Sequence, residues 1–339
     1  MQHRMGEGDL LDGSGQLIER GWATSEVRRY DRRAIRASGW RIKEWDYYCI
    51  TTDRHALALT VADNGYLGFL GVSWMDLEAG TAINHGAVRP FPFGRMRLPA
   101  SADTGDIDQR QGKLHLSFKL EPGARVLRVD APDFDRGRGL SGQFRLEQPA
   151  DDRMVIATPF ANAPRAFYYN QKINCLPVSG DVTVGGERIA FDPGWAFAVL
   201  DWGRGVWTYD NTWYWASASG LLGGRRFGFN LGYGFGDTSA ASENMLFLDG
   251  KAHKLAEVTF HMPAGAPDSG PWQITSSDGR LEMRFDPIVD RHDTVDLGPF
   301  RTAQHQVFGR FSGQAITDDG TRLEFTGLTG FAEKVHNRW

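Results

Sequence analysis

From residue 45 onward, apolar and polar positions alternate with a period of two. Segments WDYYCITT (45–52), HALALTVA (55–62) and GYLGFLGVSW (65–74) are rich in aromatic and β-branched residues and bounded by turn formers, which is how strands read. Asn64-Gly65 between two of them predicts a type I′ hairpin turn, whose two central residues both need positive φ. Further hairpins are predicted for KLHLSFKL (113–120) with ARVLRVDA (124–131), followed by SGQFRLEQ (141–148). Gly185-Gly186, Asp249-Gly250, Asp278-Gly279 and Asp319-Gly320 each separate two more strand-like runs. No stretch of about 12 residues carries a helical period, so the chain reads as all-β with antiparallel, up-and-down connectivity. Strands at roughly 8–12-residue spacing come to about twenty, too many for one closed sheet in a water-soluble protein. The expected architecture is therefore two antiparallel β-barrels or curved sandwiches packed side by side. Residues 1–40 form an extended arm with at most one short helix, 41–175 the first β-domain and 176–339 the second, the boundary falling at LPVSG (176–180).

One stretch breaks the ordinary pattern. Residues 195–220 read WAFAVLDWGRGVWTYDNTWYWASASG and hold five of the eleven tryptophans, interleaved with Asp201, Arg204, Tyr209, Asp210 and Asn211. A core needs the aromatics but not so many acids and amides among them. Aromatic side chains offer large, stiff contact area, and a carboxyl held against them loses water, which raises its pKa toward the range of proton transfer. These residues point to a pocket for a small-molecule ligand.

Composition narrows the classes of function. Net charge is −4, with 41% hydrophobic and 24% charged residues, which is ordinary for a globular protein and gives no basic field suited to nucleic acid. The one basic run, Arg28, Arg29, Arg32, Arg33 and Arg36, reads as a solvated face. Two distant cysteines, Cys49 and Cys175, form neither a disulfide scaffold nor a thiolate metal site and suit a reducing cytosol. Neither a signal peptide nor a run of about 18 apolar residues is present, so a cytoplasmic protein with no membrane span, monomeric or homodimeric, is expected. Histidines show no metal-ligand spacing: His292 and His305 lie apart, and no HExxH or HxH occurs, so no metal site is expected. Nor is there a P-loop, a GxSxG or a dinucleotide fingerprint, and no cofactor is called for.

Alternation assigns faces to the candidates. Asp201 shares a strand face with Val199 and Gly203, while Leu200, Trp202 and Arg204 point the other way. In FGFNLGYGFG (227–236) the bulky residues share one face, and Gly228, Asn230, Gly232, Gly234 and Gly236 share the other. Such a glycine face either lines a cavity and admits close neighbours, or marks bulges and barrel corners. Asp201 is the candidate acid, with an ion pair to Arg204 or Arg225 as the structural alternative. Glu243 and Asn244, after the loop DTSAAS, are a second candidate pair, or else serve only that loop's backbone. Trp202, Arg204, Tyr209, Trp213, Trp215, Asn230 and His336 complete the expected ligand-binding set.

DWGRGVW (201–207), WYWASASG (213–220), FGFNLGYGFG (227–236), ENMLFLDGK (243–251) and GFAEKVHNRW (330–339) together resemble the bacterial family catalogued as domain of unknown function 2804, over essentially the whole chain. More loosely, an Asp followed by an aromatic and Gly, then a Trp-x-Trp strand, is similar to proteins built from two lipocalin-like barrels. These are carotenoid 1,2-hydratase, AttH-type secondary-metabolism proteins, fungal Diels–Alderases and a lipid-carrying yeast survival factor. The resemblance implies lipocalin-like barrels with a ligand pocket between or inside them, and makes Asp201 the motif's proton-donor candidate, completed by Trp202 and Gly203. Trp202 stands where many of those relatives carry His. Two functions follow as expectations: a cofactor-free hydratase, lyase or isomerase acting on an apolar or glycosidic molecule, or a non-catalytic carrier of a lipid or isoprenoid.

Overall fold

The structure is a computed structural model that describes residues 2–296, 298 and 301–338. It is nearly all strand, as expected, and forms one nearly closed barrel and one half-barrel from two large sheets. A thirteen-stranded sheet takes every strand from Gly21–Ala23 to Phe197–Val206 except the two-residue Arg28–Arg29, and a nine-stranded sheet takes every strand from Asp210–Leu222 to Arg322–Arg338. The boundary expected at residue 176 falls instead inside one continuous strand, Ala163–Val184. The change of sheet comes at 207–209, so the tryptophan-rich stretch is itself the crossover: Phe197–Val206 closes the first sheet and Asp210–Leu222 opens the second.

Three apolar layers follow from strand alternation. In Ile42–Thr51, Tyr48 and Ile50 enter the core of the first sheet, whereas Tyr47 and Cys49 enter a layer between the sheets. That middle layer also takes Ala56, Ala58 and Val199 from the first sheet and Trp215, Phe308 and Phe331 from the second. Strands buried on both faces read as near-continuous apolar runs, which explains the weak alternation of HALALTVA. Phe227, Phe229 and Leu231 fill the core of the second sheet.

The sheets are stitched at an irregularity in Ala163–Val184. Its register shifts between Ile173 and Leu176, and Cys175 adopts φ 59°. The bulged residues reach across: Asn174 Nδ2 donates to Ser217 Oγ (2.8 Å) and to the Phe229 carbonyl (3.1 Å), and the Cys175 amide donates to Ser219 Oγ (3.0 Å). Gly228 permits this approach, since a Cβ there would stand 2.6 Å from Cys175 Sγ.

Two-residue turns with positive φ at both positions occur at Gly185-Gly186 and Asp249-Gly250, as predicted, and also at Gly223-Gly224. At Asn64-Gly65 only Gly65 has positive φ and the loop takes a third residue, Tyr66, so this turn is not type I′. The N-terminal arm holds short strands and two 3-10 turns instead of an α-helix, and Gly21–Ala23 pairs with Val155–Ala157. Its arginine run is not a solvated face throughout: Arg28 is buried against Glu19, and Arg32 pairs with the buried Glu44.

Candidate functional site

A cavity of about 220 Å³ lies where the two sheets meet. The first sheet contributes Trp45, Tyr47, Phe69, Tyr168, Lys172 and Asp201; the second contributes Trp213, Trp215, Arg291, Gln306, Glu333 and Asn337. Trp207 from the crossover and Phe235 and Glu243 from the loop after Arg225–Tyr233 complete the wall. The wall is mostly aromatic. Phe235 sits 4.5 Å from Trp207, 4.8 Å from Tyr168 and 5.4 Å from Trp213 by ring centroid, and Trp45 lies 5.3 Å from Trp207. Such edge-to-face packing fixes the rings in place.

Glycines make room for this wall. Gly203 is paired in register with Trp45, and a Cβ on it would collide with the Trp45 indole. Gly205 does the same for Trp207, since its Cβ would stand 3.1 Å from Nε1 of that ring. On the next sheet a Cβ on Gly232 would meet the Glu243 carboxyl at 2.7 Å. The glycine face of 227–236 thus admits close neighbours within the strand, and only Gly234 and Gly236 turn the chain with positive φ.

Polar groups enter the aromatic wall in two layers. Asp201 pairs with Lys172, Oδ2 to Nζ 2.8 Å, and accepts from Asn170 Nδ2 at 2.6 Å on its other oxygen. Neither Arg204 nor Arg225 is its partner. Lys172 Nζ also lies 3.8 Å from the Trp215 ring centroid, a cation–π contact in a dry setting. Glu333 accepts from Trp213 Nε1 at 2.9 Å. Burial pushes its carboxyl up from 4.5 to about 7, against the opposing pull of the Trp213 hydrogen bond and the Lys172 charge, with Asp201 adding to the rise. Burial likewise raises Glu243, with Lys172 opposing and Asp201 reinforcing the shift. Behind the wall, Asn230 accepts from Trp215 Nε1 (2.7 Å) and donates to Glu243 Oε2 (3.3 Å), fixing both. Arg291 donates to Gln306 Oε1 at 2.6 Å, which Tyr47 also reaches.

Of the residues expected from sequence, Asp201, Glu243, Trp213 and Trp215 line the cavity. Six others do not. Trp202 and Arg204 point the opposite way, as alternation requires: Trp202 is buried in the first core between Tyr30 and Tyr169, and Arg204 is fully occupied by Asp46 and the carbonyls of Trp45, Gly203 and Pro99. Asn230 positions its neighbours without reaching the wall. Asn244 bonds the Gly232 amide and the Ala256 carbonyl, a role confined to backbone support. His336 pairs with Asp210 at 2.9 Å near the surface, and Tyr209 lines a separate cleft. Among the described residues no group of three potential ligands is placed to hold a metal.

Lys172, Glu333 and Arg291 were not anticipated. A signal for Glu333 exists in GFAEKVHNRW: Phe331, Glu333 and Val335 share a face, so the carboxyl stands between two apolar neighbours on a buried side. Lys172 is marked similarly by its place in the otherwise apolar and amide run YYNQKINCL (168–176).

Known structures share this arrangement of sheets. An AttH-like protein from Nitrosomonas europaea superposes with TM-score 0.55 at 16% identity, over 91% of this chain and 97% of its own. CghA in complex with Sch210972 gives TM-score 0.55 at 12% identity, over 98% and 97%. Kievitone hydratase from Nectria haematococca gives TM-score 0.50 at 12% identity, over 98% of both chains. No curated protein sequence matches the chain. These likenesses establish a lipocalin-like fold, and the sequence itself goes further: residues 2–339 match the model of the domain of unknown function DUF2804, and the chain belongs to that family.

Proposed function

We propose that the protein is an acid/base enzyme, a hydratase, lyase or isomerase, acting on an apolar or glycosidic small molecule held in the aromatic cavity. The carrying observation is that two carboxyls of opposite character line one aromatic cavity: Asp201 is bound by an ammonium and an amide, whereas Glu333 is raised to about 7 by burial. A buried carboxyl raised toward neutral pH can donate and accept a proton, and an ion pair beside it can stabilise developing charge. Glu333 is the proton donor and acceptor near neutral pH, and Asp201 with Lys172 stabilises the charge that develops on the substrate. Glu243, held by Asn230, is a third carboxyl on the same wall. The kievitone hydratase that shares the fold is named for a reaction of this class.

The aromatic wall alone favours a second reading, a non-catalytic carrier of a lipid or isoprenoid. A carrier gains nothing from burying Asp201, Glu243, Glu333, Lys172 and Arg291 around its ligand, because each buried charge costs desolvation. The test is incubation with a panel of alkenes, enol ethers and aryl glycosides, followed by mass spectrometry for gain or loss of water or cleavage. Turnover by the wild type that Asp201→Asn and Glu333→Gln both abolish, with ligand affinity retained, supports the enzyme. Binding without turnover, insensitive to both substitutions and weakened by Trp213→Ala, supports the carrier.

A further inference from the structure

Trp207 has a second face. Beyond it lies a cleft of about 590 Å³ lined by Arg41, Arg165, Tyr209, Gln16 and the Ala163–Ala166 segment, with Trp207 as the wall shared with the aromatic cavity. Its charge is one-sided: among the described residues the lining holds two arginines and no acid. Neither guanidinium has an ion-pair partner among the described residues. Among the described residues Arg165 reaches only the Arg36 carbonyl, at 3.4 Å. Arg41 lies 5.9 Å over the Tyr209 ring, and its Nη1 is buried with no hydrogen-bond partner among the described residues. Asp210, beside Tyr209 in sequence, is already held by His336 and Arg338. The field is felt nearby, where Lys43 is pushed down to about 7, first by burial and then by the Arg41 charge. A buried guanidinium N–H left unpaired is costly, and an oxyanion that accepts from it removes that cost.

We propose that this cleft is an oxyanion subsite, receiving a carboxylate or sulfonate carried by the same molecule whose unsaturated body enters the cavity past Trp207. The substrate class of the proposed enzyme is then an amphiphile, with an anionic group at Arg41 and Arg165 and an apolar, reactive part against Trp213 and Phe235. This inference rests on the acid/base reading for the word substrate, but its binding chemistry is separable from catalysis.

Two fluorescent probes of one skeleton test it: anilinonaphthalene sulfonate, which carries the anion, and phenylnaphthylamine, which lacks it. Wild-type protein should bind the sulfonate about tenfold more tightly, the gain expected of a charge-assisted hydrogen bond, and that preference should shrink as salt is added. Arg41→Gln and, independently, Arg165→Gln should remove the preference while leaving the neutral probe's affinity unchanged, and Arg41→Lys should retain part of it. Equal affinity of the two probes for wild type, or equal weakening of both by Arg41→Gln in a protein of unchanged circular dichroism, overturns the proposal. Glu333→Gln should keep the preference intact. Loss of turnover in that variant with a persistent anion preference separates the fate of the subsite from that of the catalytic reading.

Discussion

Lys172 and Asp201 stand directly opposite each other on neighbouring strands, and their side chains form an ion pair of 2.8 Å at the cavity wall. Each is almost wholly enclosed, with side-chain exposures of 3% and 11%. A buried pair is costly to break from one side, because the remaining charge has no water to turn to. Lys172→Met should therefore destabilise the protein by about 3–5 kcal/mol in chemical denaturation. The double variant Lys172→Met with Asp201→Asn should recover much of that loss, which a double-mutant cycle measures.

Glu333 gives stability a pH dependence. Its carboxyl titrates near 4.5 when unfolded and is pushed up to about 7 by burial in the native protein, so the native state binds more protons between those values. The stabilisation from this group is complete below the unfolded value and is lost as pH rises through the folded one. Relative to Glu333→Gln, wild-type stability should fall by on the order of 3 kcal/mol across that window, as read by denaturation at a series of pH values.

The Trp213 indole favours the ionised form of Glu333 through its 2.9 Å hydrogen bond. Trp213→Phe keeps the ring and deletes the donor. The Glu333 titration should move upward by roughly one pH unit, the equivalent of one ordinary hydrogen bond. A shift in the alkaline limb of the activity profile, where the acid loses its proton, should accompany it.

Gly203 tolerates no side chain, because Trp45 lies across it. Gly203→Ala should cost about 1–3 kcal/mol through overpacking and should displace the Trp45 ring from its stack on Tyr168. A changed tryptophan emission spectrum together with a lower thermal midpoint is the expected result.

Much of the fold was legible because period-two alternation and glycine turns are local signals. Hairpins such as Leu114–Glu121 with Ala124–Ala131 are set by neighbouring residues and appear as expected. The sheet boundary was not legible, since Phe197–Val206 is held in the first sheet by its pairing with the distant Ile42–Thr51, and nothing local marks the change. Within the site, Asp201, Trp213 and Trp215 were readable from one conspicuous stretch. Lys172, Arg291 and Glu333 come from three other strands and meet that stretch only through the packing of the two sheets. Trp202 and Arg204 show the converse: composition drew attention to them, while alternation had already placed them on the opposite face.

The measurement that bears most directly on the acid/base account is the protonation state of Glu333, followed by infrared difference spectroscopy of wild type against Glu333→Gln across pH. A protonated carboxylic acid band, present in mildly acidic solution and titrating away near pH 7, is the predicted result. A Glu333 already fully ionised at about pH 5, as an ordinary exposed glutamate would be, would contradict the account.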